Sequence, residues 1–178
     1  KSLASLKVED NFFSSLPPFQ INSMENLTDF AFGHNDFLSE IAPLCNLTNL
    51  EIVDFSNSFL LYQFPPCMTR LTQLQKIKAE HCRIDDVSPI SKLANLKGLL
   101  LGNNRISQLP DVTLMQSLET LEVPNNSLLE IPKSIGKLPF LSYLILHYNN
   151  ITSIPDEIGN ATSLTFLQLR GNSITTIS

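Results

Sequence analysis

Long apolar runs are missing from this chain of 178 residues, although 43% of the residues are hydrophobic. No stretch approaches the 18 uninterrupted apolar residues, roughly, that a membrane-spanning helix needs. The first residues, KSLASLKVED, also lack the apolar stretch and the cleavage site of a secretion signal. The sequence therefore predicts neither a membrane-spanning segment nor a visible targeting signal.

An excess of positive charge is missing as well. The chain has 12 basic and 17 acidic residues, a formal net charge of -5 and a pI near 5.1. Its lysines and arginines are scattered singly, whereas a nucleic-acid binder needs a clustered basic surface. We therefore expect no DNA or RNA partner.

Motifs that carry chemistry are also lacking. The chain contains only six glycines and has no GxSxG, no glycine-rich phosphate loop and no HExxH. The stretch EHCRIDD places His81 beside Cys82 and two carboxylates, but the repeat described below directs Cys82 into the core. We expect no enzymatic activity, no metal and no cofactor.

What the chain does have is an internal repeat. Leucines open equivalent segments, each 22 to 24 residues after the last, at Leu3, Leu27, Leu50, Leu74, Leu96, Leu118, Leu141 and Leu164. Apolar residues follow three and five places on, an asparagine usually falls eight places on, and another apolar residue stands at ten. A unit of this length cannot bury its leucines alone, whereas a stack of units can.

The clearest copies read LKGLLLGNNRISQLP, LETLEVPNNSLLEIP and LSYLILHYNNITSIP. They match LxxLxLxxNxLxxIP, so the chain resembles the leucine-rich repeat family over essentially its whole length. Copies such as ITSIPDEIG are similar in style to the intracellular Ras-associated group, whereas EIAPLCNLTNL and DVSPISKLANL resemble internalin-type repeats. The resemblance implies an α/β repeat fold: a curved right-handed solenoid with a concave parallel sheet and short helices, 3₁₀ turns or extended segments on the convex side.

We expect residues 1–178 to form a single repeat domain. The last residues, NSITTIS, stop inside a repeat, so we also expect the chain to be a piece of a larger protein.

The asparagine has a structural explanation. The chain must turn sharply out of each strand, and a side-chain amide offers both a donor and an acceptor to the backbone groups left facing the core. The predicted asparagine ladder is Asn11, Asn35, Asn104, Asn126, Asn149 and Asn172. Ser58 and Cys82 occupy the same place in the remaining copies.

The cysteines do not have the pattern of a disulfide framework, since they number three. Cys45 and Cys67 belong to neighbouring repeats, and stacking brings equivalent positions within disulfide range. Counted from Ile41 and Phe64, however, Cys45 is four places on and Cys67 three. The pattern favours free thiols and a reducing compartment.

Residues between the inward-facing leucines should form parallel columns on the concave sheet, where repeat proteins bind their partners. The first copies present small and charged residues of both signs, whereas the last copies present aromatic residues with an arginine, the composition of interface hot spots. The candidate partner-binding residues are Leu100, Tyr143, Ile145, His147, Tyr148, Phe166, Gln168 and Arg170. The alternative is that further repeats cover these side chains.

The pattern predicts a non-enzymatic scaffold that binds a protein partner through its concave face, in signalling or regulation, with a cytoplasmic location slightly favoured. One alternative is an extracellular adhesion or ligand-sensing ectodomain, because glycosylation sequons occur at Asn26, Asn46, Asn125, Asn150 and Asn160. Another is the substrate-recognition arm of a larger enzyme.

Overall fold

The computed structural model describes residues 3–16, 23–36 and 38–177, and its main element is an eight-stranded parallel sheet. Each repeat contributes one strand of three residues, and the strands pair in chain order. The strands of this sheet are β1 (Ser5–Lys7), β2 (Asp29–Ala31), β3 (Ile52–Asp54), β4 (Lys76–Lys78), β5 (Gly98–Leu100), β6 (Thr120–Glu122), β7 (Tyr143–Ile145) and β9 (Phe166–Gln168). A second sheet pairs β8 (Ser153–Ile154) with β10 (Thr176–Ile177).

The core lies behind the main sheet and runs continuously through the stack. In β4, β6 and β7 the middle residues Ile77, Leu121 and Leu144 are fully buried, because side chains alternate between the two faces of a strand. The residues directly after β5, β6 and β7 are also completely buried and form one interior row; they are Leu101, Val123 and Leu146. The predicted leucine-rich repeat solenoid is confirmed.

Asparagine side chains join neighbouring repeats where each strand ends. The Asn149 amide donates to the carbonyl oxygens of Leu146, at 3.0 Å, and of Val123 in the preceding repeat, at 2.8 Å. Its oxygen accepts from the Leu128 amide at 2.9 Å. The same arrangement is present at Asn35, Asn104, Asn126 and Asn172. Asn11 is exposed and donates within its own turn, to Val8 and Glu9.

Two ladder positions are filled differently. The Cys82 thiol donates to the carbonyl oxygens of Phe55, at 3.4 Å, and Glu80, at 3.5 Å, so it weakly imitates the asparagine amide. Burial raises the pKa of the Cys82 thiol to about 11. The buried Ser58 hydroxyl has no hydrogen-bond partner in the described ranges.

The residue just before each ladder position adopts a left-handed backbone conformation, with φ between 52° and 71°. These residues are Asp10, His34, Asn57, His81, Asn103, Asn125, Tyr148 and Gly171. The turn is therefore the same in every repeat. Only the last copy has a glycine there, Gly171, which adopts a left-handed conformation at the least cost.

Short 3₁₀ helices lie on the convex side of five repeats in the described ranges, which confirms the prediction of short helical pieces there. They are η1 (Ala42–Asn46), η2 (Pro66–Arg70), η3 (Ser88–Ile90), η4 (Lys133–Lys137) and η5 (Asp156–Asn160). A proline lies within one residue of the start of each helix, where a missing backbone N–H costs little.

A disulfide joins Cys45 in η1 to Cys67 in η2, with the two Cα atoms 5.8 Å apart. The prediction of free thiols at these positions was wrong. It assumed that only cysteines at equivalent distances from Ile41 and Phe64 can meet. Convex segments are not held in register by a ladder of strand hydrogen bonds, so Cys45 near the end of η1 lies beside Cys67 near the start of η2. Only Cys82 remains free, and the inference of a reducing compartment loses its basis.

Across the described ranges, no helix has the length and apolar character required to traverse a bilayer.

Candidate protein-binding surface

The concave face presents two rows of side chains, one on each side of the buried middle residue of every strand. The first row is Ser5, Asp29, Ile52, Lys76, Gly98, Thr120, Tyr143 and Phe166. The second row is Lys7, Ala31, Asp54, Lys78, Leu100, Glu122, Ile145 and Gln168. Neighbouring strands lie about 4.8 Å apart, so consecutive members of a row are near enough to contact each other.

The last two strands of the sheet carry an aromatic pair. The rings of Tyr143 and Phe166 have centroids 6.0 Å apart and are tilted by 41°. Although the two rings contact each other, Tyr143 is 49% exposed and Phe166 44% exposed. The pair therefore offers rigid apolar area to solvent on the concave side.

A second aromatic group extends this pair beyond the strand ends. The centroids of the Tyr148 and His147 rings lie 5.3 Å apart, and the rings meet edge to face. The guanidinium carbon of Arg170 lies 5.7 Å from the centroid of the Tyr148 ring. We call Tyr143, Phe166, Tyr148 and Arg170 together the aromatic surface. It combines ring faces with a cation that is held by a cation–π contact.

Gly171 makes room for Tyr148. Its φ of 71° is strained for other residues, and a Cβ built at this position would collide with the Tyr148 ring. The ring thus lies against the backbone of the next repeat. Beside it, His147 keeps a buried Nδ1 atom with no hydrogen-bond partner among the residues described.

The middle of the concave face contains a hollow of about 410 Å³. It forms because Gly98 contributes no side chain to the first row, between Lys76 and Thr120. Leu100 lines the hollow next to Gly98, and Lys97 and Glu119 stand at the strand beginnings. We call this feature the central hollow.

Charges of opposite sign flank the central hollow. Lys76 lies on the β4 side, and its side-chain carbons are 3.4 to 3.8 Å from the position that a Gly98 Cβ would occupy. Glu122 lies on the β6 side, where burial raises the pKa of its carboxyl and the neighbouring Glu80 carboxylate raises it further, while Lys76 and His147 oppose the shift. Glu122 is therefore a partly buried carboxylate without an ion-pair partner in the described part of the chain.

The first half of the concave face is polar, and many of its charged groups contact each other. Lys78 forms a salt bridge of 3.4 Å with Asp54. His34 lies 3.7 Å from the Asp10 carboxylate through Nδ1 and 2.9 Å from the Asn57 side-chain amide through Nε2. In these contacts the polar groups of the first half pair with one another across neighbouring repeats.

The predicted binding residues fall in two places. Tyr143, Ile145, Phe166 and Gln168 lie on β7 and β9, and His147, Tyr148 and Arg170 lie just beyond those strands. Leu100 is separate, because it lines the central hollow on β5. Sequence reasoning did not identify the hollow, since its signal is a single glycine between larger residues of one row.

The described residues contain no metal-ligand cluster and one free thiol. No group of three or more His, Cys, Asp or Glu side chains there could hold a metal ion. The one free thiol is buried, and its raised pKa keeps it protonated.

The comparison with known families agrees with this fold. A leucine-rich repeat region model matches residues 73–177, which is more than half of the chain. The chain belongs to the leucine-rich repeat family.

A solved leucine-rich repeat protein of Leptospira interrogans superposes on the whole chain with a TM-score of 0.93 and 32% identity, and the match covers 45% of that protein. A probable inactive serine/threonine-protein kinase of Dictyostelium discoideum is 31% identical over 126 residues, which are 67% of this chain and 5% of the kinase. Receptor-like protein 41 of Arabidopsis thaliana is 33% identical over 81 residues, or 43% of this chain and 9% of that protein. The chain therefore corresponds to a small part of these two relatives.

Proposed function

We propose that this chain is a non-enzymatic module that binds a protein partner through its concave face, with the aromatic surface as the main contact. The observation that carries the proposal is the exposed Tyr143–Phe166 pair on adjacent strands of that face. Leucine-rich repeats present an extended concave sheet, which is the usual binding surface of solenoid proteins.

The composition of the aromatic surface supports the proposal. Tyrosine and arginine are enriched among interface hot spots, because they add buried area and directional contacts at a small entropic cost. Tyr148 and Arg170 are already positioned against each other, 5.7 Å apart, so less ordering is needed on binding. Three more of the predicted residues, Ile145, His147 and Gln168, lie on or next to the same two strands, whereas Leu100 lies in the central hollow.

The test is affinity capture from an extract of the source organism, with the wild-type chain and the double variant Tyr143→Ala/Phe166→Ala as baits. Truncating two hot-spot rings should weaken the retained partner by roughly 10- to 100-fold. The matched control is Phe140→Ala/Tyr62→Ala, which removes the same ring types at 61% and 53% exposure outside the two concave rows. If both double variants capture the same proteins in the same amounts as wild type, the proposed surface is wrong.

A second candidate is an extracellular receptor or adhesion ectodomain, which two observations favour. The Cys45–Cys67 disulfide is typical of proteins from oxidising compartments, and all five sequon asparagines are exposed. One of the relatives is called a receptor-like protein. Peptide mapping of the native protein tests this candidate, because glycans on Asn46 and Asn150 would place the chain outside the cytoplasm.

The substrate-recognition arm of a larger enzyme remains an alternative within the same binding role. The Dictyostelium relative is far longer than this chain and carries a kinase name. Sequencing the full-length gene tests this alternative, since a catalytic domain on the same chain would support it.

A further inference from the structure

We infer that the central hollow receives an apolar side chain from an extended peptide segment of the partner, and that its rim selects an acidic residue on one side of this side chain and a basic residue on the other. The inference rests on the proposed function, because the same segment would continue across the aromatic surface. It assigns partner chemistry to Lys76, Gly98, Leu100 and Glu122.

The floor of the hollow favours an apolar group. Gly98 leaves the space and Leu100 lines it, while the hydrocarbon part of the Lys76 side chain lies along its edge. A volume of about 410 Å³ exceeds what one side chain needs, so the anchor and adjoining peptide backbone both fit. Apolar anchors that enter pockets near the centre of an interface supply much of the binding free energy.

The rim supplies charge complementarity. Lys76 makes no salt bridge in the described ranges, unlike Lys78, which pairs with Asp54 at 3.4 Å. On the opposite side, Glu122 makes no salt bridge within 4 Å in the described part of the chain. Burial and the Glu80 carboxylate disfavour its ionised form, and Lys76 and His147 offset this only in part. An acidic partner residue over Lys76 and a basic one over Glu122 would satisfy both groups.

The spacing fits one continuous segment. From β5 to β9 there are three strand intervals, or about 14 Å, and an extended chain advances about 3.3 Å per residue. A segment of about five residues therefore reaches from Gly98 to Phe166. About two further residues reach back from Gly98 to Lys76 on β4, so the whole segment has about seven residues. Alternate side chains face the sheet, in the order acidic, apolar, basic and aromatic or aliphatic.

The hollow can be filled by substituting Gly98 with a residue type that other strands already carry in the same row. Tyr143 and Phe166 occupy the same row as Gly98, so an aromatic residue is compatible with this place on a strand. Gly98→Tyr would occupy the space that the anchor needs, whereas Gly98→Ala would occupy little of it. A Cβ at Gly98 has no contact closer than 3.4 Å, and that contact is to the flexible Lys76 side chain.

The probe is a phage library of randomised twelve-residue peptides, selected on the immobilised wild-type chain. Synthetic versions of the enriched peptides are then titrated against wild type, Gly98→Ala, Gly98→Tyr and Tyr143→Ala/Phe166→Ala by fluorescence anisotropy. We expect enriched sequences with the acidic, apolar and basic order, read in either chain direction. Their affinity should fall by about 30-fold with Gly98→Tyr and by much less with Gly98→Ala.

A charge-reversal variant provides a readout that a folding defect cannot imitate. Selection on Glu122→Lys should change the preferred residue at the basic position of the peptide to an acidic one. Circular dichroism and thermal midpoints of all variants establish that each is folded before it is used.

The outcomes separate the two proposals. Peptides that lose affinity with Tyr143→Ala/Phe166→Ala but bind Gly98→Tyr normally overturn the role of the hollow and leave the aromatic surface standing. Enrichment of no sequence pattern, or an unchanged preference on Glu122→Lys, also overturns the inference. Sedimentation tests whether the wild type self-associates and whether Gly98→Tyr abolishes that self-association. If both are observed, the hollow binds a second copy of this chain, and the inference of a peptide from another protein is wrong.

Discussion

The side-chain amide of Asn149 donates to the backbone carbonyl of Val123 in the preceding repeat, at 2.8 Å. Asn149→Ala removes this bond and leaves the buried Leu128 amide without its acceptor. The Val123 and Leu146 carbonyl oxygens then keep only the donors from Asn126 and Asn172. We expect a loss of about 1 to 3 kcal/mol in the free energy of unfolding, measured by urea denaturation.

Asn11→Ala is the matched control for that prediction. Asn11 is exposed and donates only within its own turn, to Val8 and Glu9, so water can replace its bonds. Its removal should cost less than Asn149→Ala. An unchanged denaturation midpoint for Asn149→Ala would contradict the structural role of the ladder.

The Cys82→Asn substitution should be neutral or stabilising. The asparagine amide would donate to the Phe55 carbonyl oxygen, which now receives a weak thiol donor at 3.4 Å. It would also donate to the Glu80 carbonyl oxygen, which receives the thiol at 3.5 Å and the Asn57 backbone amide at 2.8 Å. Its oxygen could also accept from a backbone amide of the preceding repeat, as Asn104 does from Ile84. A loss of more than about 1 kcal/mol in urea denaturation would mean that the register at this position is wrong.

Reduction of the Cys45–Cys67 bond should lower the stability of the chain. A cross-link across 22 residues restricts the unfolded ensemble, and its loss should cost about 2 to 4 kcal/mol. Thermal melts with and without reductant, on a Cys82→Ala background, measure the difference free of side reactions.

Thiol counting tests the same bond independently. In the folded, unreduced protein no thiol should react with a thiol reagent, because Cys82 is buried and burial raises its pKa to about 11. Unfolding without reductant should expose one thiol, and reduction should expose all three cysteines. Two or three reactive thiols before reduction would show that the disulfide does not form.

Glu122 should titrate above the ordinary glutamate pKa of about 4.3. Burial raises its pKa first and the Glu80 carboxylate raises it further, whereas Lys76 and His147 lower it. Because the folded pKa is the higher one, this group's contribution to stability is complete below about pH 4.3 and is lost as pH rises through the folded value.

Carboxyl NMR titration measures this pKa directly. Glu80→Gln should lower the pKa of Glu122, since it removes one of the two causes of the shift. Glu122→Gln should stabilise the chain slightly at neutral pH, by no more than about 0.5 kcal/mol for a partly exposed group, and the gain should vanish in acid. A Glu122 pKa below 4.3 would contradict the electrostatic account of the central hollow.

The repeat made the concave sheet predictable from the sequence. The opening leucines and the asparagine ladder recur in phase, so each copy supports the register of the next, and Leu101, Val123 and Leu146 are buried as one row. The two concave rows follow from strand alternation alone.

The convex side was less predictable. Segments there differ in length and are not held by strand pairing, so the offsets of Cys45 and Cys67 did not indicate that the two residues meet. The central hollow was missed for another reason. A pattern of residue types identifies what is present in a row, whereas the hollow depends on the side chain that Gly98 lacks and on the position of Lys76.

The disulfide also determines which turns of the solenoid can change their spacing. It lies on the convex side of the second and third turns, and it prevents these two from spreading apart at the back. The turns that carry Tyr143 and Phe166 are joined at the back by the parallel pairing of β8 with β10, and η4 packs against η5 one turn earlier. We expect a partner that changes the bend of the sheet to do so in the later half of the solenoid, which contains the proposed aromatic surface and is crossed by no disulfide among the described residues.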